Sequence, residues 1–447
     1  MARTCRQNCQ PCTGADRTPG LRALVPTVTP EAVPMRLLIS FAALFLSVVF
    51  LQLGSGGVAP LDAISGLALD FTRAEVGLLG SAHFLGFFVG CWWAPRVMGT
   101  VGHSRAFASF TALGTIGILS HMILVDPVAW MVMRVMSGMC IAGSYTVVEA
   151  WLQGKVTNDV RGRTMGIYRV VDIAGSLGAQ LLIAVLSPAH YVSYNLLALL
   201  CTAALLPIAL TRASPPATSA APRLDPRLAW ARSPLATVGV LTSGLTTASF
   251  RMVGPVFGLD VGLRQDQIAY FLAAFVLGGA LAQLPVGWVA DKCDRRAVLV
   301  GLSVAAIAAC ATTVALSGRG DGAVMLAAGI FGFSTFPIYS VAAAHAHDFA
   351  SADERVELSA ALLFVYAVGA IAAPTVAARL IDAWGPSAMF WMISVAHLGL
   401  IIFSAVRAAV RPSPGPRTRY VYAPRTSPLI GRLMKRLRTN GRPEDRP

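Results

Sequence analysis

Charge is what this sequence has least of. Only 13% of its 447 residues are Asp, Glu, Lys or Arg, about half the share of an ordinary soluble domain. A chain that is 55% apolar, with a mean hydropathy of +0.64, cannot cover itself with polar surface in water. That excludes a soluble globular protein and points to a membrane-embedded one. No Walker-type phosphate loop occurs, which argues against ATP hydrolysis by this chain, and nothing else in it reads as an enzyme. No Asn-x-Ser/Thr acceptor occurs, which fits a bacterial protein. The eight cysteines make no even, secreted-type framework. Cys91, Cys140, Cys201 and Cys310 fall inside apolar runs, as small buried hydrophobes do, and Cys293 falls in a polar loop.

Cys5, Cys9 and Cys12 stand in the C-x3-C-x2-C spacing that holds an iron–sulfur cluster in radical enzymes. Such a cluster needs an alternating strand–helix barrel around it, and the rest of the chain is apolar helical runs. No cofactor and no metal are therefore expected. Met35 opens "MRLLISFAALF", which resembles a start, so residues 1–34 are expected to be a disordered tail or a misassigned extension.

What is present is a series of apolar runs of about 20 residues, the length that crosses a bilayer as a helix. Twelve are expected, at 36–58, 75–94, 104–124, 128–151, 164–186, 191–211, 235–257, 267–290, 297–316, 323–345, 358–380 and 386–408. The loops on one side carry thirteen Lys and Arg; those on the other carry four, namely Arg73, Arg264, Arg319 and Arg379. The positive-inside rule then places both termini in the cytoplasm of a bacterial inner membrane. The same rule accounts for the net charge of +14 without a nucleic-acid partner. The expected organisation is a six-helix bundle at 35–212, a Pro/Ala/Arg-rich cytoplasmic linker at 213–233, a second bundle at 234–410 and a basic tail at 411–447. In that tail, Leu429, Leu433 and Leu437 recur at helical spacing among arginines, so a surface helix on anionic lipid and a disordered tail both remain open.

The two halves repeat. "RGRTMGIYRVVDIAGSLGAQ" (161–180) overlays "RVELSAALLFVYAVGAIAAP" (355–374) without a gap, placing Arg161 on Arg355, Gly175 on Gly369 and, upstream, Tyr145 on Tyr339. "PRVMGTVGHSR" overlays "GWVADKCDRR" in the loops after spans 2 and 8. Together with "VVEAWL" and "GFSTFPIYSVAAAHAHD", these stretches resemble the major facilitator superfamily, and within it the YcaD-like branch. The resemblance covers about residues 36 to 408. It implies an all-α polytopic fold of two pseudo-symmetric six-helix bundles. It also implies a monomeric secondary transporter that moves a small organic solute by alternating access, proton-coupled, with export favoured over import. A non-transporting sensor or assembly protein on the same fold, or a lipid flippase, are the competing readings. The second loop keeps Gly287 and Asp291 of the family's pattern; the first has Pro95 and Gly99 where glycine and aspartate belong. The implied latch shifts toward Asp291.

Ionisable residues at membrane depth are costly and mark candidate sites. Arg169 and Asp172 lie at i, i+3 on one face of span 5, with Ser176 and Gln180 extending the stripe. Either Asp172 titrates and releases Arg169, or the two form a permanent internal pair. Arg134 and Gly138 match the R-x-x-x-G signature that the resemblance links to proton transfer; the alternative is an arginine snorkelling to the interface. Glu149 reads as a cytoplasmic gate residue with Arg161 and Arg163. Arg251, well inside span 7, suits an anionic or zwitterionic solute if it faces a cavity, or pairs with Asp62 or Asp260. Asp291, with Arg295, Arg296 and Arg355, reads as an interdomain latch. His345 and His347 in "HAHD" diverge on a helix, which disfavours a metal site. His83 and His397 are expected to be packed and hydrogen-bonded.

Overall fold

The computed structural model describes residues 32–155, 161–211, 224–317, 319–351 and 353–410. The Cys5–Cys12 cluster, the basic tail from Arg411 and residues 212–223 of the linker lie outside the described residues. Sixteen helices are described, joined by one 3-10 turn at Ile183–Val185, and no strand occurs among the described residues. In the first half they are α1 (Ala32–Gly56), α2 (Val58–Ala68), α3 (Arg73–Val101), α4 (His103–Ser120), α5 (Pro127–Lys155), α6 (Arg161–Leu182), α7 (Tyr191–Ala203) and α8 (Leu205–Leu210). In the second half they are α9 (Pro226–Arg232), α10 (Pro234–Asp260), α11 (Gln265–Lys292), α12 (Arg295–Leu316), α13 (Asp321–Thr335), α14 (Pro337–Asp348), α15 (Arg355–Trp384) and α16 (Ala388–Val410). By contacts the chain divides at Ser40. Of the first unit only the opening of α1 is described, and everything below concerns the second unit, from Phe41 onward.

Ten of these helical stretches are long and apolar enough to cross a membrane. The other two expected positions are filled by α4 and α10, whose Ser, Thr and Gly content makes them less apolar. The first span runs further than its composition suggests. "GSGGVAP" reads as a break after residue 58, yet the apolar stretch continues from Phe41 to Ala68. Gly57 keeps a right-handed helical conformation, and Pro60 starts a new turn with one backbone donor missing. A bilayer offers no water to an unfolded backbone, so the helix bends here instead of ending. That extension brings Asp62 inside the membrane domain.

The internal repeat is visible in where helices begin. α3 and α11 start 192 residues apart, as do α4 and α12; α5 and α13, and α6 and α15, start 194 apart. Capping follows local chemistry: Thr72 and Glu75 form a capping box on α3, Ser233 caps α10 and Asp294 caps α12. The same helix crossing is built twice. A Cβ on Gly86 would overlap the backbone of Val135, and one on Gly138 the carbonyl of His83. At the equivalent places Gly278 meets Gly329 and Gly332 meets Phe275. Only glycine lets α3 approach α5, and α11 approach α13, at backbone contact.

Between the halves, α3 packs on α15, α6 on α11 and α2 on α10. The described end of the linker forms a helix: α9 is capped by Asp225, with Pro226 in its first turn, and packs on α15. A Pro/Arg-rich stretch read as flexible spacer is helical here because Pro is welcome at a helix start.

Candidate functional site

A cavity of about 150 Å³ lies between the halves. α1, α3, α5 and α6 supply one wall, including Gln52, His83, Phe84, Phe87, Tyr145, Arg169 and Asp172. The facing wall is Thr247, Arg251 and Met252 of α10, Val276 of α11, Phe336 and Tyr366.

The first wall is charged. Arg169 reaches Glu149 at 3.2 Å and Asp172 at 3.6 Å, and its guanidinium stacks over Tyr168 at 4.6 Å. Asp172 also accepts from the Gln52 amide at 2.8 Å and from the Tyr145 hydroxyl. Glu149 is only 1% exposed and accepts from Tyr168 at 3.4 Å as well. Its partner is Arg169 of α6, about two turns beyond Arg161 and Arg163. Arg163 is exposed, and the side chain of Arg161 lies outside the described residues. Ser176 lines the cavity, whereas Gln180, further along α6, is buried and does not line it.

A second buried cluster sits beside the cavity. Asp62 of α2 accepts from the Tyr194 hydroxyl at 3.0 Å and lies 3.3 Å from Nε2 of His121 and 3.5 Å from Nε of Arg134. His121 stacks on Tyr194, and the Trp130 indole donates to its carbonyl at 2.9 Å. Arg134 is 1% exposed, with Met252 Sδ at 3.5 Å from Nη2. The snorkelling alternative for Arg134 therefore fails: a carboxylate inside the bundle holds the guanidinium. The pairing considered for Arg251 fails too, because Arg134 holds Asp62, and Arg73 holds Asp260 at 2.6 Å. Arg251 faces the cavity with no ion-pair partner among the described residues.

One end of the cavity is shut by contacts between the halves. The Arg73 guanidinium donates through two nitrogens to Asp260 and lies 3.8 Å from Asp382. Gln265 donates to the Ile183 carbonyl at 2.5 Å and to that of Leu186. The hydroxyls of Ser81 and Thr375 meet at 2.7 Å, and Gly77 and Gly80 lie against Pro374, Ala378 and Met252.

At the opposite end, Gly287 is buried in α11, and Asp291, largely exposed, reaches Arg295 at 3.6 Å. Arg295 is buried and donates to both oxygens of Asp348 at 2.7 Å and to the Ala344 carbonyl at 3.0 Å. Asp348 of "HAHD" is thus an arginine partner. His347 pairs with Ser359 at 3.2 Å, and His345 packs edge-on against Phe349. Arg296 and Arg355 are buried nearby in the same half. His83 bonds Ser137 at 3.2 Å, and His397 lies between Thr246 and Ser303 at 3.1 and 3.3 Å. The sequence reading missed Asp62 as a site residue, together with His121, Tyr194, Tyr145 and Gln52. A carboxylate within an apolar run was the available signal for Asp62.

Glycine-crossed helices in two repeats, with charged side chains in the walls of the cavity between them, define a multi-pass helical membrane fold. Comparison with known proteins finds likenesses to one superfamily. A profile described as Major Facilitator Superfamily matches residues 236–441. The chain is 28% identical over 324 residues to the MFS-type transporter YE1530 of Yersinia enterocolitica, covering 72% of this chain and 83% of that protein. It is 26% identical over 343 residues to the MFS-type transporter YcaD of Salmonella newport, covering 76% and 88%. Among solved structures, a nucleoside transporter NupG variant superposes with a TM-score of 0.69 at 13% identity, over 82% of this chain and 99% of that one. An inward-facing bacterial homolog of the lysosomal transporter Spinster gives 0.65 at 14% identity, over 92% and 97%. These likenesses are to the major facilitator superfamily and to MFS-type transporters, over residues 236–441 for the profile and about three quarters of the chain for the relatives.

Proposed function

We propose that this transporter is a secondary active carrier of a small organic solute in a bacterial inner membrane. It works as a monomer by alternating access, with a proton as coupling ion and export as the favoured direction. Both termini are on the cytoplasmic side, so the Arg73 seal is the periplasmic gate. The observation that carries this reading is the cavity itself: largely apolar but with charged side chains in its walls, set between the repeats, and bordered at one end by contacts that a rocking motion of the halves can break. The similarity to an inward-facing relative supports the same state.

Proton coupling is supported by the Asp62 cluster. Nδ1 of His121 lies 2.7 Å from the Gly117 carbonyl, so Nδ1 carries the hydrogen. Nε2 then faces Asp62 at 3.3 Å. A bare imidazole nitrogen and a bare carboxylate repel, so the pair is complementary when one proton lies between them. Nε of Arg134 lies 3.5 Å from the same carboxylate. Domain boundaries follow the repeat: bundles at 35–212 and 234–410, joined through 213–233. Asp291 and its arginines form the latch at the cytoplasmic end.

The test is flux in vesicles. Cysteines at 81 and 375, joined by oxidation, are expected to stop solute movement and to release it on reduction. Unimpeded flux through the locked gate overturns alternating access. Solute-independent signalling with no flux favours the sensor reading instead, and headgroup-dependent activity the flippase.

A further inference from the structure

We infer that the transported solute is a compact zwitterion: an apolar body with a cationic group at one end and an anionic group at the other. This rests on the carrier reading and names the substrate class of the same cavity.

The argument begins with how each charge is met. Arg251 enters the cavity from α10 with no ion-pair partner among the described residues. An unpaired cation at membrane depth is costly, and an arriving anion relieves that cost with a charge-assisted hydrogen bond. On the opposite wall Asp172 is held by two neutral donors, Gln52 and Tyr145. Its cationic neighbour Arg169 stands at 3.6 Å and is nearer to Glu149, at 3.2 Å. Asp172 therefore keeps acceptor capacity for an ammonium or another donor. The remaining buried charge near the cavity, Asp62 with Arg134 and His121, lies within ion-pair distance inside its own cluster.

The cavity is thus bipolar across the two halves. A simple anion suits Arg251 but is repelled by Asp172, and a simple cation has the reverse problem. One solute with both groups satisfies both walls, and only when both halves close on it, which couples binding to the rocking motion. Between the poles the lining is Phe84, Phe87, Val276 and Phe336, which suits an apolar body. A volume of about 150 Å³ is below the usual drug-sized range and near that of a cavity that holds benzene. The solute is of amino-acid size.

Calorimetric titration of the purified full-length protein tests this with leucine, its two half-molecules 3-methylbutan-1-amine and 4-methylpentanoate, and 6-aminohexanoate, whose charges are further apart. Leucine or 6-aminohexanoate is expected to bind about tenfold or more tighter than either half-molecule. Arg251→Gln should bring the zwitterion down to the level of the amine, and Asp172→Asn down to that of the carboxylate. Arg251→Lys should retain the preference, showing that the loss is one of charge and not of folding. Half-molecules binding as tightly as the zwitterions, or no binding by any of the four, overturns the inference. Zwitterion binding with the expected losses, but no counterflow into vesicles, sinks the carrier reading while leaving the bipolar site standing.

Discussion

The two halves share a backbone but not a chemistry. Placed on one another by their helix starts, Glu149 corresponds to Ala343, Arg169 to Leu363 and Asp172 to Tyr366. Tyr145 donates to Asp172; its counterpart Tyr339 packs edge-on against Tyr366, at 5.5 Å. Arg134 corresponds to Ala328, and Asp62 to Gly254. Where the first half holds buried ions, the second holds an aromatic cluster in which Phe250 stacks on Phe275 at 4.2 Å and contacts Phe331 and Phe271. Even His83 has Phe275 as its equivalent, at the same glycine crossing. The glycines that set the helix crossing are kept in both halves because backbone contact tolerates nothing else. The side chains that do chemistry are concentrated in one. The first half carries the buried ions beside the cavity; of the described cavity-lining residues in the second half, Arg251 is the one that bears a charge.

That contrast breaks first at what the halves share. Gly138→Leu and Gly332→Leu should be equally damaging, each above about 5 kcal/mol, because each drives a side chain into a facing carbonyl. Folded yield after detergent extraction measures this, and a tolerant half would show that the crossing is not equivalent. Next comes the buried ion pair. Asp62→Ala leaves Arg134 buried without its carboxylate and should cost about 3–5 kcal/mol. The double variant Asp62→Gly with Arg134→Ala, which copies the second half, should recover more than half of that loss in denaturant unfolding. It should also abolish the pH dependence of flux.

Asp172→Asn should flatten that pH dependence with a smaller loss of stability, since Gln52 and Tyr145 remain as hydrogen-bond partners. An unchanged flux profile would make Arg169–Asp172 a permanent pair. The smallest effect belongs to the linker helix. The Arg232 guanidinium beside Glu354 lowers the pKa of its carboxyl. A carboxylate whose folded pKa is depressed adds stability above its ordinary value and loses it as pH falls through the lowered folded value. Docking of α9 should therefore weaken below about pH 4.5, by well under 1 kcal/mol for so exposed a group. Hydrogen exchange along 226–232 reads it, and Glu354→Gln should remove the pH response.

Much of this was legible beforehand. Span positions follow from apolar run length, and the repeat from gapless overlay. Arg169 and Asp172 follow from i, i+3 spacing, since local geometry places both on one face whatever surrounds them. The partners that come from distant helices were not legible. Asp62, His121, Arg134 and Tyr194 belong to α2, the end of α4, α5 and α7, and no spacing rule relates them. Asp62 was further hidden by the glycines and Pro60 before it, which read as the end of a span. Glu149 was assigned to the nearest arginines in sequence, Arg161 and Arg163, and Arg169, two turns beyond, is the partner the structure gives it.

The sequence by itself determined that this chain lives in a bilayer, that it is built of long apolar runs and that its halves are copies. Those properties are sums over residues: hydropathy, length and charge bias survive without knowing a single contact. Which buried charge meets which, and that Arg251 and Asp172 line one cavity from different halves, was decided only in the folded molecule. Pairing energy in a low-dielectric interior depends on distances of a few ångströms between helices, and those distances exist only after the helices have packed.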